Sequence, residues 1–320
     1  MGKKILLTGG AGFIGSNIAD ALIGREDVDL VRVLDNLATG KMDNIQHLLD
    51  HPKFEFIKGD IRDIGTCLKA ATTMDMVCHQ AALGSVPRSI EDPLTTNDVN
   101  ITGTLNIFNA ARLHNIKRVV YAASSSTYGD SLTLPKVEDT IGKPLSPYAV
   151  TKYVNELYAN VFGALFGLEL IGLRYFNVFG PRQDPNGAYA AVIPLFAKAV
   201  IDQIPPFING DGEQSRDFTY VLNVVQINQL ALFTDNPNAV NQVYNVALGE
   251  RITINQMWHF LKSLENSDID AVYRQARQGD VRDSLADISK AKQLLGYNPE
   301  INVFEGLKLA FNWYKKNLFQ

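Results

Sequence analysis

Short apolar runs alternate with longer segments of helical periodicity through the first half of the chain. Each run has the length of a buried strand, and turn-forming or small residues follow it. The predicted strands are Ile5–Leu7, Asp29–Leu34, Phe54–Ile57, Met74–His79 and Arg118–Ala123. Strands that alternate with helices indicate a parallel sheet with helices on both faces, which is a doubly wound α/β fold.

Two long helices are predicted beside this sheet, over Asn97–Arg112 and Tyr148–Phe166. The second has apolar residues at helical spacing, which are Val150, Val154, Leu157, Tyr158, Val161 and Leu165. In most proteins such a stripe is ordinary core. On an outer face it can instead pair across a two-fold axis, so a homodimer is expected.

The pattern loosens after about residue 173, where a loop-rich region begins. Asn241–Ala247 has the alternation of a strand that returns to the sheet, and Leu285–Leu318 is mostly helical. We therefore expect a Rossmann-type domain over residues 1–175 with a returning segment at about 217–248. Residues 176–216 and 249–320 are predicted to form a smaller C-terminal α/β lobe that covers the strand edge and binds the substrate.

Composition narrows the classes of function. The 320 residues are 46% hydrophobic and 20% charged, and the net charge of −4 comes without a basic block, which argues against nucleic acid. The cysteines Cys67 and Cys78 form no disulfide framework, and the five histidines show no metal spacing. The N-terminal apolar run is too short for a signal peptide or a membrane span. We expect a cytoplasmic protein with no metal and no membrane partner.

The first predicted strand leads into a glycine-rich turn and then a helix. Gly9, Gly12 and Gly15 form the pattern G-x-x-G-x-x-G, which lets the backbone approach a pyrophosphate at a helix N-terminus. By itself the triplet is also compatible with a plain tight turn. Asp35 ends the second strand 20 residues after Gly15, where a carboxylate accepts from a ribose and repels a 2′-phosphate. This context favours NAD over NADP.

Polar and small residues follow the other strands. Asp60 comes after the third strand, Ala81 after the fourth and Ser124 after the fifth. Asp60 is placed either to accept from an adenine amine or to cap a helix. Ligands bind at the carboxyl ends of parallel strands, so these residues are expected to meet at one edge.

The candidate catalytic pair stands at the start of the second long helix. Ser146 is a good N-cap, Pro147 fits the first turn, and Tyr148 and Lys152 are four residues apart on one face. A positive charge beside a phenol favours the phenolate, which is a general base. Without other evidence, such a pair is more often a surface Tyr and a solvated Lys on an ordinary helix. Together with Ser124 and the glycine turn it predicts a catalytic site.

These features together resemble the extended short-chain dehydrogenase/reductase family, and within it the UDP-N-acetylglucosamine 4-epimerases of bacterial polysaccharide synthesis. The similar stretches are HQAALGSVPRS (79–89), YAASSSTYGD (121–130), PLSPYAVTKYVNELY (144–158), LRYFNVFGPRQDPNGAYAAVIP (173–194), INGDGEQSRDF (208–218) and GDVRDSLADISKA (279–291). They extend over nearly the whole chain.

The resemblance implies an NAD-dependent 4-epimerase that converts UDP-GlcNAc and UDP-GalNAc through a 4-keto sugar. Tyr148 is then the base, Lys152 lowers its pKa and holds the nicotinamide ribose, and Ser124 hydrogen-bonds the same sugar oxygen, with Ser125 and Ser126 beside it. The implied NAD-binding residues are Gly9, Gly12, Phe13, Ile14, Gly15, Asp35, Asn36, Gly40, Asp60, Ile61, Gln80, Ala81, Ala82, Asn100, Tyr148, Lys152 and Tyr175. The implied substrate-binding residues are Gly84, Ser85, Arg88, Ser124, Asn177, Ala191, Val192, Asn209, Arg216, Arg251, Arg277, Asp280 and Ser284.

Ser284 bears on the choice of sugar. The resemblance implies that galactose-type epimerases carry a bulky Tyr there, so a Ser leaves room for an N-acetyl group. Epimerases of UDP-N-acetyl-hexuronic acids or of UDP-Glc and UDP-Gal remain alternatives.

Two further readings differ in chemistry. A nucleotide-sugar 4,6-dehydratase would carry an acid just after the strand-end Ser, whereas Ser125, Ser126, Thr127 and Tyr128 contain none. A non-catalytic nucleotide-binding sensor would be expected to lose the Tyr–Lys pair, which this chain keeps.

Overall fold

The computed structural model describes residues 2–185, 191–275 and 282–318. The strands are β1 (Lys3–Thr8), β2 (Val28–Asp35), β3 (Phe54–Lys58), β4 (Met76–His79), β5 (Arg118–Ser124), β6 (Glu169–Tyr175), β7 (Val178–Phe179), β8 (Phe207–Asn209), β9 (Ser215–Arg216), β10 (Thr219–Tyr220), β11 (Gln242–Val246), β12 (Ile252–Thr253) and β13 (Val272–Arg274). The α-helices are α1 (Phe13–Ile23), α2 (Ile64–Ala71), α3 (Val86–Glu91), α4 (Pro93–Asn97), α5 (Gly103–Leu113), α6 (Pro147–Phe166), α7 (Val192–Asp202), α8 (Val221–Phe233), α9 (Ile254–Ser263), α10 (Ser289–Leu295) and α11 (Val303–Asn317).

Seven parallel strands form the central sheet, in the order β11-β6-β5-β4-β1-β2-β3. The chain moves outward from β1 in one direction through β2 and β3, and then crosses to β4 on the other side. The strand order therefore reverses between β1 and β4, at the point where doubly wound sheets bind their ligands. The predicted Rossmann-type α/β fold is confirmed by this topology.

The expected returning strand lies at the edge of the sheet, where β11 pairs with β6 from Gln242↔Ile171 to Val246↔Tyr175. The strand β6 itself was not predicted. It begins at Glu169, two residues after Gly167, whose left-handed conformation (φ 67°) ends α6. The exact domain boundaries stay a prediction.

Apolar side chains fill both faces of the sheet. One face packs against α1 and α8, and the opposite face packs against α2, α5 and α6. A third core lies outside the sheet, where α7, α9 and α11 meet around Trp258 and Phe311. This third core holds the smaller lobe together and fixes the short strands that border the site.

The helix predicted over Asn97–Arg112 starts one turn earlier than expected. Asp92 accepts from the backbone N–H of Thr95 at 3.0 Å, and Pro93 fits the first turn, so the helical path begins there. A π-helical turn over Asp98–Thr102 then joins α4 to α5. Such turns widen a helix locally and often occur beside functional sites.

Candidate active site

The glycine turn joins β1 to α1 with its backbone exposed to a cavity. Gly9 has φ 70°, and an added Cβ there would lie 2.6 Å from the backbone nitrogen of Ala81. At Gly15 an added Cβ would lie 2.1 Å from the carbonyl oxygen of Gly9. Gly12 is the N-cap and has no side chain to satisfy the first N–H groups of α1. The turn therefore presents backbone donors and the positive end of the helix dipole to an anion.

Asp35 ties the end of β2 to this turn. One carboxylate oxygen accepts from the backbone N–H of Ala11 at 2.9 Å, and the other accepts from that of Leu37 at 2.8 Å. The side chain also lines the cavity beside the turn. A carboxylate oxygen accepts more than one hydrogen bond, so Asp35 can hold the turn and a ribose hydroxyl together.

The first cavity encloses about 420 Å³ at the carboxyl ends of the strands. The predicted cofactor residues that line it are Gly9, Gly12, Phe13, Ile14, Gly15, Asp35, Asn36, Ile61, Gln80, Ala81, Ala82, Tyr148, Lys152 and Tyr175. Tertiary structure thus brings together residues from segments that are more than 160 positions apart.

Three predicted cofactor residues lie outside this lining. Asp60 hydrogen-bonds Asn36 and forms an ion pair with Arg62, whose guanidinium holds the pKa of the carboxyl far below its usual range. Gly40 packs against Ala11 behind the glycine turn. Asn100 is fully buried and holds the backbone of Leu83 through both of its amide atoms. Direct contact of these three residues with NAD stays a prediction.

A closed hydrogen-bond network supports the floor of the first cavity. The Tyr175 hydroxyl donates to Gln80 Oε1 at 2.9 Å, and Asn228 Nδ2 donates to the Tyr175 oxygen at 2.9 Å. Gln80 Nε2 donates to Asn228 Oδ1 at 3.1 Å, which closes the ring. The polar groups of Gln80 and Tyr175 are therefore fixed by Asn228, a buried residue of α8 that no sequence motif pointed to.

Tyr148, Lys152 and Ser124 meet where α6 faces the end of β5. The Ser146 hydroxyl accepts from the backbone N–H of Ala149 at 3.1 Å, so the predicted N-cap starts the helix. Lys152 Nζ donates to the carbonyl oxygen of Ala122 at 2.9 Å and lies 5.9 Å from the centre of the Tyr148 ring. Ser124 lines the same cavity as Tyr148 and lowers the pKa of its phenol.

The electrostatics of the pair differ from the expectation. Burial raises the pKa of the Tyr148 phenol, and only Ser124 opposes this rise. Lys152 was expected to lower that pKa, but its ammonium is directed at the carbonyl of Ala122 instead. Burial lowers the pKa of Lys152 to about 8, against an opposing effect of Glu156. Lys152 therefore donates no hydrogen bond to the phenol, and its ammonium stays 5.9 Å from the centre of the Tyr148 ring.

A second cavity of about 440 Å³ adjoins the first, and Ser124 lines both. The predicted residues around the second cavity are Ser124, Ser125, Ser126, Asn177, Arg216 and Ser284. Ser126 Oγ donates to Ser124 Oγ at 2.9 Å, so the serines form a connected polar edge. A ligand in the second cavity lies next to both Ser124 and the cofactor site.

A third cavity continues from the second, because Asn177 and Arg216 line both. Val192 and Asn209 also line the third cavity, as expected for substrate residues.

The other predicted substrate residues do not line the second or third cavity, or they lie outside the described residues. Gly84 lines the first cavity rather than the second, and Ser85 caps α3 by accepting from the backbone N–H of Arg88. Ala191 is the N-cap of α7. The Nη1 atom of Arg251 lies 3.7 Å from Oδ1 of Asp283. Arg277 and Asp280 are outside the described residues. The substrate roles of these seven residues, Arg88 included, stay predictions.

Sequence reasoning missed several lining residues of the cavities. Leu83, Val99 and Arg62 border the first cavity, and Lys136 borders the second. Arg62 could have been found, since it stands two residues after Asp60 at a strand end. Lys136 belongs to a loop without any motif, so only its tertiary position reveals it.

The described residues contain neither a candidate metal site nor a membrane-spanning helix. Residues 2–185, 191–275 and 282–318 contain no group of three or more His, Cys, Asp or Glu side chains that could hold a metal ion. In those same ranges, every helix is too short or too polar to cross a membrane.

The first cavity fits a dinucleotide. Its glycine turn has no room for a Cβ at Gly9 or Gly15, its helix terminus offers free N–H groups, and Asp35 is placed for a ribose. The family model described as "NAD dependent epimerase/dehydratase family" matches residues 5–247. The chain belongs to this family.

Individual relatives cover nearly the whole chain. A Methanocaldococcus jannaschii protein, provisionally described as a UDP-glucose 4-epimerase, is 41% identical over 98% of this chain and 99% of its own. The solved UDP-N-acetylglucosamine 4-epimerase from Methanobrevibacter ruminantium, in complex with UDP-N-acetylmuramic acid, is 43% identical with a TM-score of 0.91 and covers 98% of both chains. The Thermotoga maritima UDP-glucose 4-epimerase with UDP-glucose is 36% identical with a TM-score of 0.91, covering 98% and 99%.

These findings confirm the expected extended short-chain dehydrogenase/reductase family, the NAD cofactor and an isomerase activity of the epimerase type. They do not decide between sugars, because the relatives named above include proteins described for glucose and for N-acetylglucosamine.

Proposed function

We propose that this protein is a UDP-sugar 4-epimerase whose main substrate pair is UDP-GlcNAc and UDP-GalNAc. The observation that carries the proposal is the position of Ser124. It lines the first cavity together with Tyr148 and lines the second cavity as well. A sugar hydroxyl at Ser124 is therefore next to the phenol that takes its proton and next to the cofactor site.

Tyr148 takes the proton from the sugar 4-hydroxyl and later returns it. When bound, oxidised NAD supplies the hydride acceptor for the sugar C4 and a positive charge on its nicotinamide ring. A positive charge held near the phenol would lower the phenol pKa and would offset the rise that burial causes. Lys152 would hold the nicotinamide ribose, and Ser124 orients the oxygen whose proton moves.

The rest of the substrate extends along the second and third cavities. Arg216 lines both and suits a diphosphate, because a guanidinium presents a fork of donors to phosphate oxygens. The backbone of Asn177 has φ 35°, and its amide donates to the carbonyl oxygen of Asp217 at 2.9 Å. Asn177 is thereby held at the junction of the two cavities. We place the uridine in the third cavity and the sugar in the second.

The choice of an N-acetylated sugar rests on Ser284. Its backbone N–H donates to the carbonyl oxygen of Ser215 at 3.1 Å, and its side chain lines the second cavity. A side chain of this size leaves room for an acetamide at C2 of the sugar. No carboxylate lies between Ser125 and Tyr128, so the acid that a 4,6-dehydratase needs at this place is absent from the segment.

The test is to incubate the purified protein separately with UDP-GlcNAc, UDP-Glc and UDP-GlcNAcA. Product ratios are read by anion-exchange chromatography and NMR. We expect conversion of UDP-GlcNAc to UDP-GalNAc with the highest kcat/KM of the three. A higher kcat/KM for UDP-GlcNAcA or UDP-Glc would replace the proposed sugar pair, and a stable 4-keto-6-deoxy product would replace the reaction type.

We also propose that the protein is a homodimer formed through α6. Val150, Leu157, Val161 and Leu165 are apolar, share one face of α6 and are all more than 40% exposed. Leu94, on the neighbouring α4, is 78% exposed and extends this apolar surface. A contiguous apolar surface of this kind is typical of a protein interface, and a second copy of the same helix completes it symmetrically.

Light scattering coupled to size exclusion tests the dimer, and we expect about twice the monomer mass of 35.4 kDa. Leu157→Glu should give a monomer, whereas Leu132→Glu, at a side chain that is 95% exposed in the connection before α6, should leave the mass unchanged. A wild-type monomer at working concentration contradicts the proposal. The cytoplasmic location and the role in polysaccharide synthesis stay predictions from the sequence.

A further inference from the structure

Lys136 is a buried lysine in the wall of the second cavity. The residue is only 5% exposed, yet it borders the cavity together with Ser284 and the serines that follow β5. Its ammonium donates to the carbonyl oxygen of Ser131. Nothing in the reaction described above uses this charge.

The ammonium has no carboxylate partner among residues 2–185, 191–275 and 282–318. Asp283 borders the same cavity, but its carboxylate accepts from Ser215 and lies 3.7 Å from Arg251. Burial lowers the pKa of Lys136, and no acidic group opposes the shift. A buried charge is costly unless hydrogen-bond acceptors surround it, and an ammonium has three donors. An acceptor on the substrate would complete its coordination.

The backbone fixes Lys136 next to the segment that carries Ser284. The N–H of Lys136 donates to the carbonyl oxygen of Leu285 at 2.7 Å, and the N–H of Asp287 donates to the carbonyl oxygen of Lys136 at 2.9 Å. Asn245 Nδ2 donates to the same oxygen at 2.9 Å. These backbone hydrogen bonds fix the position of Lys136 relative to Ser284 on one wall of the second cavity.

We propose that Lys136 is a specificity-determining residue that donates a hydrogen bond to the acetamide carbonyl oxygen of a 2-acetamido sugar. This inference rests on the proposed function, because it assumes that the acetamide lies on the wall formed by Ser284. Ser284 gives the acetamide room, and Lys136 gives it a charged donor. The hydroxyl at C2 of UDP-glucose is shorter and does not extend as far toward this wall.

The test uses full-length Lys136→Met with NAD bound and measures kcat/KM for UDP-GlcNAc, UDP-Glc and UDP-GlcNAcA. Methionine keeps an unbranched apolar stem and removes the charge. We expect the ratio of kcat/KM for UDP-GlcNAc to that for UDP-Glc to fall about 10- to 100-fold, the usual effect of losing a hydrogen bond from a charged group. Lys136→Arg, which keeps a charged donor, should restore part of the ratio.

Lys143→Met is the matched control, since Lys143 is an exposed lysine in the same connection between β5 and α6. It should leave the ratio unchanged. If Lys136→Met does not fold, Lys136→Gln keeps a donor for the Ser131 carbonyl without the charge and should show the same selective loss.

The outcomes separate this inference from the proposed function. Equal loss on both sugars, or no loss, overturns the role of Lys136 while UDP-GlcNAc epimerisation by the wild type still stands. A loss confined to UDP-GlcNAcA would assign the ammonium to a sugar carboxylate and overturn the acetamide contact. If the wild type does not convert UDP-GlcNAc, both proposals fall.

Discussion

The ammonium nitrogen of Lys152 lies 5.9 Å from the centre of the Tyr148 ring and donates to the carbonyl oxygen of Ala122 instead of to the phenol. The two side chains share one face of α6, as their four-residue spacing requires. The side chain that lowers the pKa of the phenol belongs to another element, since Ser124 ends β5. The acid–base chemistry thus depends on a contact between a helix and a strand.

Tyr148→Phe should reduce epimerisation by at least 10²-fold, because a positioned general base contributes about 10²–10⁴-fold. NAD should stay bound, as released nucleotide after denaturation will show. Tyr158→Phe is the control, because Tyr158 lies on the same helix and packs against Phe162 away from the site. Activity of Tyr148→Phe within tenfold of the wild type would mean that another group is the base.

Gly15→Ala should weaken NAD binding at least tenfold and lower the free energy of unfolding by about 1–3 kcal/mol. The added Cβ would lie 2.1 Å from the Gly9 carbonyl oxygen, so the turn has to open. Gly24→Ala on the same helix is the control, since its nearest contact would be 3.6 Å away. Both effects are measured by NAD titration and chemical denaturation, and equal behaviour of the two variants would refute the close-approach argument.

Ser284→Tyr should lower kcat/KM for UDP-GlcNAc at least tenfold more than for UDP-Glc. The phenol would occupy the part of the second cavity that we assign to the acetamide. Ser289→Tyr, at an exposed position in the first turn of α10, is the matched control and should change neither value. The two substrates are compared in one coupled assay. An equal loss of kcat/KM for both would contradict the steric explanation.

Asp217 is expected to lower the free energy of unfolding as the pH rises, which is the opposite of the usual effect of a carboxyl group. Its fully buried carboxylate accepts from the backbone N–H groups of Leu248 at 3.0 Å, Gly249 at 3.1 Å and Ala286 at 3.3 Å. Burial nevertheless raises its pKa from 3.8 to about 7. The folded protein then binds this proton more tightly than the unfolded chain. The stabilisation from the protonated form is complete below about pH 4 and is lost as the pH rises through 7.

The difference in unfolding free energy between the wild type and Asp217→Asn should therefore fall by roughly 2–3 kcal/mol between pH 5 and pH 8. Denaturant titrations of both proteins at the two pH values measure it. Every other titrating group is present in both proteins, so its contribution cancels in this difference. A difference that is constant or rises with pH would show that the three backbone donors keep the carboxyl ionised throughout.

Local patterns in the sequence were sufficient for the parts of the site that lie within one strand–turn–helix unit. The spacing of Gly9, Gly12 and Gly15 requires a close turn, and Asp35 stands at the end of the next parallel strand. Ser146 and Pro147 start α6, which places Tyr148 and Lys152 on one face. These inferences succeed because helix and strand periodicity determine the direction of neighbouring side chains.

Only the tertiary structure decided which distant residues meet and how strongly each is desolvated. Lys136 lies on the same cavity wall as Ser284 because the main chains of their two segments are hydrogen-bonded. Asp217 accepts hydrogen bonds from backbone groups of two later loops. The pKa of Tyr148 is raised rather than lowered because burial outweighs the effect of Ser124, while the Lys152 ammonium is directed at the carbonyl of Ala122. Long-range register and local dielectric environment arise from packing of the whole chain, and neither is encoded in the periodicity of any one segment.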